Sequence, residues 1–143
     1  MMMTSVRNQI IYFFLFTVTL LFACSDEIPE WRAASEARDY YDCLAKDDVK
    51  GFMKGKAGFD NLPSLYREQL QKAVEQYLSD VKAKYGGLSS VRVSDEHYLD
   101  DLEACRDTSL HLTYAFLILC FSDSTQEEIM VPMVERDGQW LMK

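Results

Sequence analysis

The spacing of apolar residues changes at Gly86-Gly87, and this change constrains the fold more than any other feature of the chain. Before these glycines, apolar side chains recur every three or four residues, which is the spacing of a helix face. After them, short segments rich in aromatic and β-branched residues alternate with polar turns, as strands do. Helices followed by strands predict an α+β domain, with the helices on one face of an antiparallel meander.

Three helical segments are predicted before Gly86. The first runs to about Ala45, and Asp47 and Asp48 can cap a short second segment that the glycines of 55–58 end. The third and longest is expected to be capped by Asn61 and to stop at Gly86-Gly87, where positive φ is needed. Its predicted apolar stripe has seven members: Leu62, Tyr66, Leu70, Val74, Tyr77, Val81 and Tyr85. Tyrosines and tryptophans at such spacing are expected mainly in the core.

Four strands are predicted, at 91–99, 109–122, 127–135 and 139–143. Asp137-Gly138 fits a two-residue type I′ hairpin turn between the last two. The second strand alternates between two apolar sets: Tyr114, Phe116, Ile118 and Cys120 on one side, and Ala115, Leu117, Leu119 and Phe121 on the other. Helices can cover only one of these faces, so the other is covered by sheet curvature or by another subunit, and a homodimer through the sheet is one expectation.

The amino-terminal segment reads as a targeting sequence. Arg7 is its one charge, and the apolar run from Ile10 to Ala23 is shorter than the roughly 20 residues of a spanning helix. Leu21-Phe22-Ala23-Cys24 resembles the lipobox of bacterial lipoproteins, although Phe22 is larger than usual at its position. The resemblance implies lipidation at Cys24. Acyl chains on this thiol would hold a soluble domain at a membrane. A retained membrane helix and an ordinary cleaved signal are the alternatives.

These boundaries predict three parts of the chain: a lipoprotein signal peptide at 1–23, a tether at 24–28 and a single domain at 29–143. The expected location is the cell envelope, as an outer-membrane lipoprotein facing the periplasm or the surface. Ser25, Asp26 and Glu27 resemble the acidic surface-export signal of some Gram-negative lineages, or form a solvated tether.

The net charge and the cysteine and histidine content limit the classes of partner and ligand that are expected. The formal net charge is −8, and becomes −9 without Arg7, so nucleic acid and anionic lipid are poor partners. Three cysteines remain after Cys24, and Cys43 and Cys120 are expected as buried free thiols, while Cys105 lies too far along the sheet to pair with Cys120. Two histidines without paired ligand spacing predict no metal site, and no cofactor motif is present. The acidic runs are expected to be solvated.

The long helix ending at Gly86-Gly87, the meander and the closing Asp137-Gly138-x-Trp140 hairpin resemble the nuclear transport factor 2-like, or cystatin-like, superfamily. Tyr40-Tyr41 in the first helix adds to the likeness, which extends over about 29–143. More narrowly, the pattern resembles the small lipoproteins of unknown function from Gram-negative bacteria that carry this fold. The resemblance implies a cone-shaped fold whose mouth often holds a small apolar ligand.

Isomerases and polyketide cyclases of this superfamily place an acid or base among tyrosines in the cone. The matching candidates here are Asp95, His97 and Tyr114, with Asp95 and His97 on one side of a strand. Tyr40, Tyr41 and Trp140 are candidates for lining a ligand pocket.

The sequence therefore predicts an envelope-anchored module that binds a small apolar ligand or an envelope protein, and no enzyme. A small acid-base enzyme with an apolar substrate is the alternative. A structural accessory subunit is a third reading.

Overall fold

The computed structural model describes residues 31–98 and 112–143, which contain three α-helices, one 3₁₀ turn and four strands. The helices are α1 (Arg32–Ala45), α2 (Val49–Lys54) and α3 (Ser64–Tyr85), and the 3₁₀ turn is Phe59–Asn61. The strands are β1 (Leu88–Tyr98), β2 (Leu112–Phe121), β3 (Gln126–Arg136) and β4 (Gln139–Met142). The predictions on the signal segment, Cys24, the tether, Cys105 and the acidic run at 100–103 lie outside the described residues.

Helix α1 lies against the sheet and forms the centre of the core. Its buried positions are Ala33, Ala34, Ala37 and Leu44, and the small alanines allow the helix backbone to approach the strands closely. Helix α2 begins as predicted, because the Asp48 side chain accepts a hydrogen bond from the backbone N–H of Gly51. It delivers Phe52 and Met53 to the same core.

The predicted cap of the long helix is wrong. Asn61 closes the 3₁₀ turn, with its N–H donating to the carbonyl of Gly58, and α3 begins only at Ser64. The reason is Pro63, since a proline favours an extended conformation in the residue before it, and Leu62 has ψ 145°. The carboxyl-terminal prediction is confirmed: Gly86 has φ 80°.

Helix α3 differs from expectation in how little of its apolar stripe is covered. Val81 is buried, and Val74, Leu78 and Tyr85 are partly buried against the core. By contrast, Tyr66 is 59% exposed, and Leu62, Leu65, Leu70 and Tyr77 are also exposed. The expectation that these tyrosines belong to the core is therefore wrong for Tyr66 and Tyr77. Much of the apolar stripe of α3 therefore has no packing partner among the described residues.

The strands form an antiparallel sheet in the order β1-β2-β3-β4, as the predicted meander requires. Asp137 and Gly138 have φ values of 52° and 78°, which confirms the predicted type I′ turn. Strand β4 also bonds to the segment after α2, through Met142 N–H to the Gly55 carbonyl at 2.7 Å and Ala57 N–H to the Met142 carbonyl at 2.8 Å. The end of the sheet thereby fixes the backbone around Lys56.

The two faces of β2 are separated as predicted. Ala115, Leu117, Leu119 and Phe121 are buried on the helix side, which we call the inner face. Tyr114, Phe116, Ile118 and Cys120 are only half-buried on the opposite, outer face, where Met130 is 56% exposed beside Phe116. None of the helices in the described parts of the chain combines the length and the apolar character that a membrane-spanning segment requires.

Candidate functional site

An apolar groove of about 430 Å³ lies between α3 and the segment from the end of α1 to the 3₁₀ turn. This volume lies within the usual range for small-molecule sites, roughly 300–1,000 Å³. Its lining consists of ten apolar residues and one lysine: Leu44, Phe52, Met53, Lys56, Ala57, Phe59, Leu62, Leu70, Ala73, Val74 and Tyr77. We call this the helix-side groove, because no strand residue contributes to its lining.

The groove exists because two short elements set α3 apart from α1. Leu44, Phe52, Met53 and Phe59 are buried core residues that form its floor. Gly58, with φ 75°, turns the chain just before Phe59, in a backbone conformation that favours glycine. Helix α3 then contributes Leu70, Val74 and other residues of its stripe to the wall. The groove and the exposed apolar stripe are thus one continuous surface.

Lys56 is the single charged residue of the groove lining. It is half-buried, and burial lowers the pKa of its ammonium group below the usual value. Its Nζ lies 5.8 Å from the centre of the Phe52 ring, at the distance of a cation–π contact. A site that is otherwise apolar therefore carries one cationic group.

Tyr41 lies beneath the groove and supports Phe52. The two rings meet edge to face, with centroids 5.2 Å apart. Burial, and secondly the nearby Tyr77, raise the pKa of the Tyr41 phenol to about 12. The pKa of Tyr77 is itself raised, first by burial and then by Glu127 and Tyr85.

Tyr40 and Trp140, two other predicted pocket residues, join α1 to β4. The Tyr40 hydroxyl donates to the Trp140 carbonyl at 3.1 Å and accepts from Gln139 Nε2 at 3.1 Å. Trp140 is buried, and its backbone N–H donates to the Glu36 carboxylate at 3.1 Å. Neither residue lines the helix-side groove, and Tyr41 reaches it only through Phe52.

The predicted acid-base candidates come together on the outer face. Asp95 Oδ2 lies 2.8 Å from His97 Nε2, and His97 pairs with Tyr114 across the β1–β2 ladder. The His97 ring also meets Phe116 edge to face at 5.5 Å. Both polar side chains remain open to solvent, at 45% and 64% exposure for Asp95 and His97. The pair can orient the imidazole, but it lies on the side of the sheet away from the helices.

Glu96 is the buried carboxylate that sequence reasoning missed, since the acidic run was expected to be solvated. It pairs with Ala115 on the inner face, is 8% exposed, and accepts a hydrogen bond from the backbone N–H of Ala34 at 2.8 Å. The shift in register between Val93 and Asp95 directs Glu96 inward. The alternation of residues in β1 alone does not reveal this bulge.

The described cysteines and acidic residues form no metal site. Cys43 and Cys120 are free thiols, as predicted, but both are half-buried and not fully buried. Burial, followed by the nearby Asp48, raises the pKa of the Cys43 thiol, which disfavours the reactive thiolate. No group of three or more histidine, cysteine or acidic residues lies close enough to hold a metal within the described ranges.

Comparison with solved structures identifies the fold. No family model and no curated protein matches the sequence. A crystal structure from Campylobacter jejuni, provisionally named an NTF2-like transpeptidase, matches 76% of this chain and 94% of its own, with a TM-score of 0.56 and 13% identity. The chain therefore has the NTF2-like, or cystatin-like, fold, and the predicted α+β class is confirmed.

Proposed function

We propose that this protein is an envelope-tethered binding module that holds an apolar ligand in the helix-side groove. One observation carries the proposal: a 430 Å³ groove with ten apolar lining residues continues into an exposed apolar helix face. Soluble proteins rarely leave such contiguous apolar surface in water unless it binds something. Each apolar Å² removed from water contributes about 25 cal/mol, so a ligand that covers this surface is stabilised without directional contacts.

A variant that fills the groove tests the binding site. Ala73 lines the groove and Ala83 is exposed further along the same helix, outside the lining. Ala73→Trp is expected to block the ligand, whereas Ala83→Trp adds the same side chain without blocking it. Native mass spectrometry of the full-length protein purified from its own envelope measures the outcome.

A small molecule retained by the wild type and by Ala83→Trp, but lost from Ala73→Trp, would support the proposal. If the wild type retained no small molecule and instead co-purified with an envelope protein, the accessory-subunit reading would replace it. Equal retention by both variants would move the ligand to a different site.

The envelope location rests on the amino-terminal sequence. Lipidation of Cys24 would attach the binding domain to a membrane through a tether of a few residues. Cys24→Ala should abolish labelling by a fatty-acid analogue and release the protein from the membrane fraction. A variant that still sediments with membranes would mean that the apolar segment before Cys24 is the anchor.

The enzymatic alternative is less well supported by the geometry. Its best observation is the 2.8 Å contact between Asp95 and His97, with Tyr114 adjacent. General acid-base catalysis needs a poised group in a site that excludes water, and this pair is solvent-exposed. The name of the Campylobacter jejuni protein does not transfer its activity, since 13% identity supports a common fold alone.

A further inference from the structure

The position of Lys56 in the helix-side groove is fixed by its backbone. Its N–H donates to the Met53 carbonyl at 3.1 Å, and Lys56 itself forms an isolated parallel bridge with Met142. The neighbouring residues Gly55 and Ala57 both bond to Met142. Lysine side chains are usually flexible, but the backbone of Lys56 is held in place by these hydrogen bonds at the edge of an apolar site.

The ammonium group of Lys56 has no acidic partner in the described residues, where no carboxylate lies within 4.0 Å of Nζ. None of the described lysines forms such a pair, but the others are exposed to water, whereas Lys56 is half-buried. Burial of a charge without a partner costs free energy, and the Phe52 ring 5.8 Å away offsets only part of that cost. The lowered pKa of Lys56 reports the same desolvation. A single anionic ligand group would supply the missing partner locally, whereas the net negative charge of the chain disfavours extended anionic surfaces such as nucleic acid or anionic membranes.

We propose that the helix-side groove binds a single-chain amphiphile with a carboxylate head, whose charge pairs with Lys56 and whose apolar tail covers Leu70, Val74 and Tyr77. This inference rests on the proposed binding function and specifies the ligand class. A single lysine suits a monoanion, since it is one compact charge with three donors. The groove has the volume of about 14 water molecules at ~30 Å³ each, which suits a medium-length chain such as dodecanoate.

Photolabelling of the full-length protein in nanodiscs of zwitterionic lipid tests the proposal. The probes are dodecanoate and dodecanol, each carrying a diazirine on the chain, and mass spectrometry quantifies and locates the label. Wild-type protein should be labelled at groove residues by both probes, with a clear preference for the carboxylate. Lys56→Met keeps the apolar stem and should lower carboxylate affinity by about 10- to 100-fold, the range that a hydrogen bond to a charged group gives.

Two further variants separate charge at this position from charge in general. Lys54→Met removes an exposed lysine outside the groove lining and should leave both probes unchanged. Lys56→Arg keeps the positive charge and should preserve the preference for carboxylate. Alcohol labelling should be equal in all four proteins, which also shows that each is folded.

The outcomes distinguish the two proposals. Equal labelling by both probes in the wild type, or equal behaviour of Lys56→Met and Lys54→Met, would overturn the role of Lys56 and leave the apolar site standing. Failure of both probes to label groove residues would overturn the binding site itself.

Discussion

Glu96 replaces a missing helix cap from a distant strand, and its removal should weaken the whole domain. Helix α1 begins after Trp31, which supplies no side-chain hydrogen bond to the first turn. The Glu96 carboxylate accepts the N–H of Ala34 at 2.8 Å from 62 residues further along the chain. Both residues are buried, so water does not compete for this bond. A negative charge at this end of a helix also interacts favourably with the helix dipole.

The expected loss can be worked out from these contacts. A hydrogen bond to a charged group contributes about 1.5–3 kcal/mol, and a buried N–H left unsatisfied costs about 1–3 kcal/mol. Glu96→Ala should therefore lower the free energy of unfolding by about 3 kcal/mol, because the two figures describe overlapping parts of one loss. Glu96→Gln keeps an acceptor oxygen and loses the charge, so a loss of about 1 kcal/mol is expected.

Urea unfolding followed by tryptophan fluorescence measures this effect, since Trp140 is buried in the native core. The slope of the free energy against urea should stay constant while the midpoint falls. Glu127→Ala is the control, because Glu127 is an exposed acidic residue of the same sheet and should change stability by no more than about 0.5 kcal/mol. If Glu96→Ala and Glu127→Ala unfolded at the same midpoint, the capping role would be refuted.

Three further predictions concern the core and the outer face. Burial raises the Tyr41 pKa to about 12, so the neutral phenol contributes its full stability below pH 10, and roughly 2–3 kcal/mol of that stability is lost between pH 10 and 12. Urea midpoints across that pH range should fall less for Tyr41→Phe than for the control Tyr66→Phe. An equal fall of the midpoint with pH in both variants would contradict this prediction. Gly55→Ala should lower the free energy of unfolding by about 1–3 kcal/mol, since the added Cβ would clash with the Tyr40 ring, and an unchanged melting temperature would exclude this clash. If two copies pair through the outer face, Phe116→Glu should yield monomers in analytical ultracentrifugation, whereas Ser122→Glu in the adjoining turn should not; a monomeric wild type would end this proposal.

The spacing of apolar residues and the residue types at the turns were sufficient to predict most of the fold. The change at Gly86, the Asp48 cap and the Asp137-Gly138 turn depend on local backbone preferences, which a single sequence displays. The Asn61 cap failed because the extended preference before Pro63 outweighed the capping preference of asparagine. Because both preferences are local, the sequence alone contains the information needed to predict that α3 begins after Pro63.

The site was less accessible to sequence reasoning because it depends on bulges and on distances between elements. Asp95 and Glu96 are adjacent acidic residues, yet the register shift after Val93 exposes one and buries the other. Lys56 follows a glycine in a segment that reads only as a loop, and its importance comes from a bridge to Met142 at the far end of the chain. Such pairings over long sequence separations leave no periodic signal.

The distribution of buried surface separates a densely packed part of the domain from the part that we propose binds a ligand. Helix α1, the inner face of the sheet and the Glu96 bond form a dense core, whereas α3 contributes one buried residue, Val81, and leaves much of its stripe in water. A helix of 22 residues with so little burial lowers the stability that the fold could reach. The half-buried charge of Lys56, which has no acidic partner among residues 31–98 and 112–143, lowers the stability further. Two unfavourable features that adjoin one groove are expected where a ligand supplies the missing contacts, because sites that break local folding rules are commonly functional.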